Sequence, residues 1–266
     1  MTAKTRGSEP ASVRQIATQA LAQQGVLSDD LLEHKTLGER TRYRQQLLLQ
    51  QQQQNIEQVA AVALSHCSGK DAGSALDPDW LRHFIQLAET TYNPQMQALW
   101  GKILAEESRF PGYFSLKSLD TLRGMTTKEA LHFQKLCALR STWGSGGKRV
   151  LIGWLDTPHW WQWRRDNAET LSLSKHGLPY SVQMTLTDIG LLHPSELESG
   201  ELAQEPMALN INGQRLIIKP KREGIRLVYY RFTPVGDELS QLLPDAQRQT
   251  YIEELRTLLE PAFEIK

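Results

Sequence analysis

Residues 207–232 read MALNINGQRLIIKPKREGIRLVYYRF, and this stretch decides the fold class. Ala208–Ile211 and Gln214–Ile218 flank Asn212-Gly213, a pair that accepts the positive φ values of a two-residue hairpin turn. Arg226–Phe232 is a third alternating run. Ala208, Ile211, Leu216 and Ile218 are expected to line the inner face of this sheet. The same stretch is basic, with Arg215, Lys219, Lys221, Arg222, Arg226 and Arg231 against Glu223 alone. A hairpin so charged can make a few phosphate contacts, which makes Arg215, Lys219, Lys221, Arg222 and Arg226 candidate nucleic-acid-binding residues. The competing expectation is that these side chains only keep a sheet face solvated and an edge unpaired.

Working upstream, Val182–Leu192 reads as a helix closing in the Ile189-Gly190-Leu191-Leu192 turn. The order helix, helix, hairpin from Thr126 to Phe232 predicts a winged-helix-like unit with the hairpin as its wing. The helix before the wing, Tyr180–Leu192, holds no Arg or Lys, so sequence-specific DNA reading is not expected. Arg149–Leu155 reads as a short strand following Gly144-Ser145-Gly146-Gly147. Downstream, Thr233-Pro234 opens a helix, and Asp245 is placed to cap a terminal helix reaching Leu259.

The chain has seven tryptophans, and Trp143, Trp154, Trp160, Trp161 and Trp163 crowd one segment. Trp160 and Trp161 cannot both face inward from one strand, because neighbours alternate sides. Trp154, Trp160, Trp161 and Trp163, with Arg164 and Arg165, are therefore the candidate partner-binding residues. The alternative is a local core that fastens this segment to its neighbours.

Nearer the N-terminus the spacing is helical throughout. Ser12–Gln24 forms a weakly amphipathic helix ending at Gly25, and Leu37–His66 forms one long helix through five consecutive glutamines. The apolar seven-residue spacing of a coiled coil fails across those glutamines. After a linker at 69–76, Asp77-Pro78 and Asn93-Pro94 each set a capping side chain before a proline at the first helical position. The helices they start carry Trp80, Phe84, Leu87 and Ala88, and Met96, Leu99, Trp100, Ile103 and Leu104, which predicts a helical hairpin with its apolar faces together. Ser115 caps a third helix, and Thr126-Thr127-Lys128-Glu129 fits a capping box. The expected parts are a helical arm with linker (1–76), a compact helical unit (77–142) and a winged-helix-like α+β unit (143–266). The whole is α+β, mainly α.

Thirty basic and thirty acidic residues cancel in the 266-residue chain, which excludes a whole-surface polycation. Cys67 and Cys137 form no Cys-x-x-Cys pair and are expected to be buried free thiols, which fits a cytoplasmic protein. No stretch approaches the ~20 apolar residues of a membrane span. Neither a metal-ligand spacing of histidines nor a phosphate-cradling loop is present, and Glu106-Glu107 project about 100° apart on a helix. Neither catalysis nor a cofactor is expected.

The segment from Asp79-Trp80, through Met96 to Glu107, to Pro111–Ser115 resembles the signature of an uncharacterised gammaproteobacterial family, a domain of unknown function. Asp188-Ile-Gly-Leu-Leu and Phe232-Thr-Pro-Val-Gly-Asp-Glu-Leu-Ser look like later parts of that family. The Trp-Gly-Lys-Ile-Leu-Ala core is similar, more weakly, to abortive-infection alpha proteins of phage defence. The resemblance implies no catalytic residues. It leaves an expected non-catalytic interaction or regulatory module, whose partner is another protein or a second copy met through the N-terminal arm. Nucleic acid at the basic wing is the alternative, and an enzyme built from residues distant in sequence is a second one.

Overall fold

The structure, a computed structural model, describes residues 12–26, 35–67, 73–156, 167–246 and 248–266. Among these, those within 1–71 and 81–105 form one compact unit and those within 72–80 and 106–266 another. The parts expected from the sequence divide at 77 and 143 instead.

In the first unit, α1 (Val13–Gln23) and α2 (Leu37–His66) each begin with a complete capping box, on Ser12 with Gln15 and on Thr36 with Glu39. Gly25 ends the first in the left-handed conformation, φ 66°. Two further helices, α3 (Pro78–Ala88) and α4 (Pro94–Arg109), start where the Asx-Pro pairs place them and belong to this unit over 81–88 and 94–105. Asp77 accepts the Asp79 and Trp80 N–H groups, and Asn93 those of Gln95 and Met96. Phe84 and Trp100 meet edge to face at 5.4 Å, so the two apolar stripes do close on each other. Val59 and Ala63 of α2 are buried, and Gly101 leaves the space that Val62 fills. Asn55, itself buried, donates to the Glu89 carbonyl and accepts from Gln97.

In the second unit, α5 (Leu116–Gly124) and α6 (Thr127–Cys137) follow their Ser115 and Thr126 caps. The chain then enters the sheet with β1 (Ser141–Thr142), β2 (Arg149–Asp156) and β3 (Asn167–Thr170). After α7 (Tyr180–Asp188) come β4 (Leu197–Glu198), β5 (Met207–Ile211), β6 (Gln214–Pro220) and β7 (Ile225–Arg231). The described chain ends with α8 (Pro234–Ser240), α9 (Gln249–Leu259) and β8 (Phe263–Ile265). Among the described residues the strands make one antiparallel sheet, ordered β4-β7-β2-β1-β5-β6-β8, with β3 on β2. The protein is thus α+β, and no described helix is long and apolar enough to cross a membrane.

The β5–β6 hairpin forms as the sequence implies, with φ 43° at Asn212 and 90° at Gly213. Three expectations change. First, β7 does not extend this hairpin as a third strand; it pairs with β2 and β4 instead. Second, Leu209 rather than Ala208 is buried beside Ile211, Leu216 and Ile218, because positions 208 and 211 lie on opposite faces of a period-two strand. Third, Asp245 caps nothing: α9 starts after Arg248 without a side-chain cap, and Asp245 pairs with Arg140. Of the two cysteines, Cys137 is buried and its thiol pushed up to about 12 by that burial, whereas Cys67 is exposed just past the end of α2.

Candidate functional site

The segment from Trp80 to Ser118 builds a buried knot. Glu107, 3% exposed, accepts the Gly112 N–H at 2.5 Å and the Phe114 N–H at 2.9 Å. The Trp80 indole N–H donates to the Phe114 carbonyl at 2.7 Å. Glu238 on α8 then accepts from the Ser115 N–H and hydroxyl and from the Ser118 hydroxyl. Glu106 points elsewhere, to Arg109. The carboxylates are therefore structural acceptors that hold a tight turn.

Trp154 lies on β2, 2% exposed, and its indole N–H donates to the Leu258 carbonyl at 2.8 Å. Burying a tryptophan is worth about 4–6 kcal/mol at 25 cal/mol per Å². Trp154 is thus a core residue, and a docking role for it is corrected: β2 is covered on both faces, so alternation exposes neither side there. Trp160, Trp161, Trp163, Arg164 and Arg165 lie outside the described residues. Trp143 is 9% exposed, edge to face with Tyr229 and 4.2 Å beneath the Arg149 guanidinium.

The basic stretch is split by the sheet order. Arg215 and Lys219 point outward on β6, and Lys219 lies opposite Glu264. Lys221 donates to the Glu260 carbonyl at 2.6 Å, Arg222 pairs with the buried Asp156 at 2.7 Å, and Arg226 meets Glu198 at 3.2 Å. The five candidates are thus spread over β6, the turn after it and β7. A closer basic pair lies across two strands: Arg149 and Arg231 are cross-strand partners. The Phe232 N–H bonds to the Lys148 carbonyl, which makes theirs the close, non-hydrogen-bonded type of pair.

Two polar clusters near the sheet have structural duties. Lys148 donates to the Asp237 carbonyl and the Ser240 hydroxyl, and Arg140 to the Ser240 and Leu243 carbonyls, together satisfying the end of α8. Burial raises the Asp237 carboxyl, against the opposing pull of Lys148, Arg231 and Arg149, and burial likewise lowers the Lys148 ammonium. His176, 5% exposed, sits 3.0 Å from Glu254 and edge to face with Tyr251. Among the described residues no group of three or more His, Cys, Asp or Glu is placed to hold a metal.

The feature that local sequence reading missed is a groove of about 220 Å³ lined by Tyr180, Gln183, Met184, Thr187, Asp188, Leu192, Pro194 and Tyr230. Tyr180 is 71% and Met184 49% exposed. The Tyr230 hydroxyl donates to Glu196 at 2.8 Å, and burial followed by Glu196 raises its phenol well above the usual range. The groove draws on α7, the turn after it, and β7, more than forty residues on, so no contiguous motif announces it.

The chain matches the family described as "Protein of unknown function (DUF2806)" over residues 39–256. No curated protein and no solved structure matches it. The matched region takes in α2 through most of α9, including the knot around Glu107 and the groove beside Tyr230, and on that coverage the chain belongs to the DUF2806 family.

Proposed function

We propose that this chain is a non-catalytic interaction module of a bacterial cytoplasmic protein, engaging a second copy or another protein through its N-terminal helices. The observation that carries the reading is α1. Its 11 residues bury none of their side chains, while Val13 (85% exposed), Ile16 (58%), Ala17 and Ala20 share one face. An isolated helix this short is marginal in water, so an apolar face of this kind gains most from a covering surface. Light scattering tests it: the wild type is expected at dimer mass at micromolar concentration and Ile16→Ser at monomer mass. A wild type that stays monomeric and captures no protein partner sinks the reading. Trp160, Trp161 and Trp163, with Arg164 and Arg165, belong to the same proposal as partner contacts, and Trp161→Ala and Trp163→Ala are expected to thin the captured partners. By resemblance alone, the likeness to abortive-infection alpha proteins supports phage defence or a stress response as the setting.

A second reading, nucleic-acid contact, is favoured by the close Arg149–Arg231 pair and by outward Arg215 and Lys219. Retention on DNA or RNA would then fall steeply with salt, and a joint change of Arg215 and Lys219 to Ala would weaken it.

A further inference from the structure

We propose that the groove between α7 and β7 is a receptor for a cationic side chain, arginine or lysine, carried on an apolar stretch of a partner polypeptide. This rests on the reading of the chain as an interaction module and names the chemistry of what it engages.

Four features converge on a positive charge. Tyr180 and Tyr230 are electron-rich rings at the groove, and a cation over such a face is attracted by the ring quadrupole. Asp188 and Glu196 are exposed carboxylates on the lining and beside it, and Glu196 is held by the Tyr230 hydroxyl. Asp188 is the last residue of α7, where the helix dipole is negative and a carboxylate has the unfavourable sign. Neither the first turn of α7 gains an acid nor its last turn a base, so the helix leaves this negative end uncompensated. Finally, no Lys, Arg or His lines the groove.

The rest of the lining sets the partner's other requirement. Met184, Leu192 and Pro194 offer apolar walls, and Met184 is unbranched and adaptable. A cavity of about 220 Å³ takes one long side chain with part of its backbone rather than a drug-sized molecule. A flexible cationic stem with apolar neighbours fits both the walls and the charge.

The test follows the Met184 ε-methyl signal by NMR, assigned through its loss in Met184→Leu, while the protein is titrated with acetyl-Leu-Arg-Leu-amide. The same peptide with neutral citrulline in place of arginine is the control. A saturable Met184 shift with a dissociation constant on the order of 1 mM or tighter is expected for the arginine peptide. Binding should be roughly tenfold weaker for the citrulline peptide and about fivefold or more weaker in Asp188→Asn and Glu196→Gln. Glu196→Gln keeps an acceptor for Tyr230 and so separates charge from structure. No saturable shift, or equal affinity for the two peptides, overturns the proposal. A protein that ignores the arginine peptide yet self-associates loses the groove and keeps the module; one that binds the peptide but stays monomeric and captures no protein partner does the reverse.

Discussion

Glu107 accepts the backbone N–H of Phe114 at 2.9 Å from inside the protein, where it is 3% exposed and also holds Gly112. Removing that carboxylate leaves two N–H groups without their acceptor. Glu107→Ala is expected to lower stability by about 2–4 kcal/mol in urea unfolding, and Glu106→Ala, which removes only a surface pair with Arg109, by about 0.5 kcal/mol or less. Equal effects would contradict the knot.

Trp154 gives a second contrast. Trp154→Phe removes the donor to the Leu258 carbonyl and part of a fully packed volume, for an expected loss of about 2–3 kcal/mol. A neutral outcome would mean that the indole sits at the surface after all, and denaturant midpoints would show it directly.

Gly101 tests the packing of the first unit. Alanine in a helix interior ordinarily stabilises by about 1 kcal/mol relative to glycine. Here a Cβ would lie 2.5 Å from Val62 Cγ1 and 2.6 Å from its Cβ. Gly101→Ala is therefore expected to destabilise, by about 1–3 kcal/mol, with the sign itself as the diagnostic in thermal melts.

Acidity provides a fourth check. Burial raises the Asp237 carboxyl above its ordinary 3.8, so the folded chain holds this proton more tightly than the unfolded one. Its contribution is therefore greatest below pH 3.8 and declines as pH rises through the raised folded value. Asp237→Asn keeps an acceptor for the Lys148 N–H and should flatten that part of the stability profile. An unchanged profile would assign the slope to other groups.

Local chemistry was legible wherever a few adjacent residues decide the outcome. Thr126 caps its helix through a neighbour three positions on, Ser115 caps the one before it, Asp77 and Asn93 start theirs before proline, and Asn212-Gly213 turns the hairpin. Strand partnership is a different kind of information. Alternation tells that 226–232 is a strand but not that it prefers β2 to β6, since pairing depends on residues far away in the chain. Asp245 shows the same limit, because its local capping role loses to Arg140, about a hundred residues earlier. The tryptophan cluster misled at Trp154, where a strand covered on both faces buries residues 150–154 in succession. The groove was out of reach because Asp188 looked like part of a turn and Tyr230 like part of a strand.

The pairing of β2 with β7 also sets a timetable for the molecule. These strands meet across roughly seventy to eighty residues, so on the ribosome β2 must wait, its longest flank open, until residue 231 has emerged. A message cut short before that point would release a chain whose apolar β2 has β1 and β3 on one side but a raw edge where β7 belongs, the sort of product that chaperones and proteases remove.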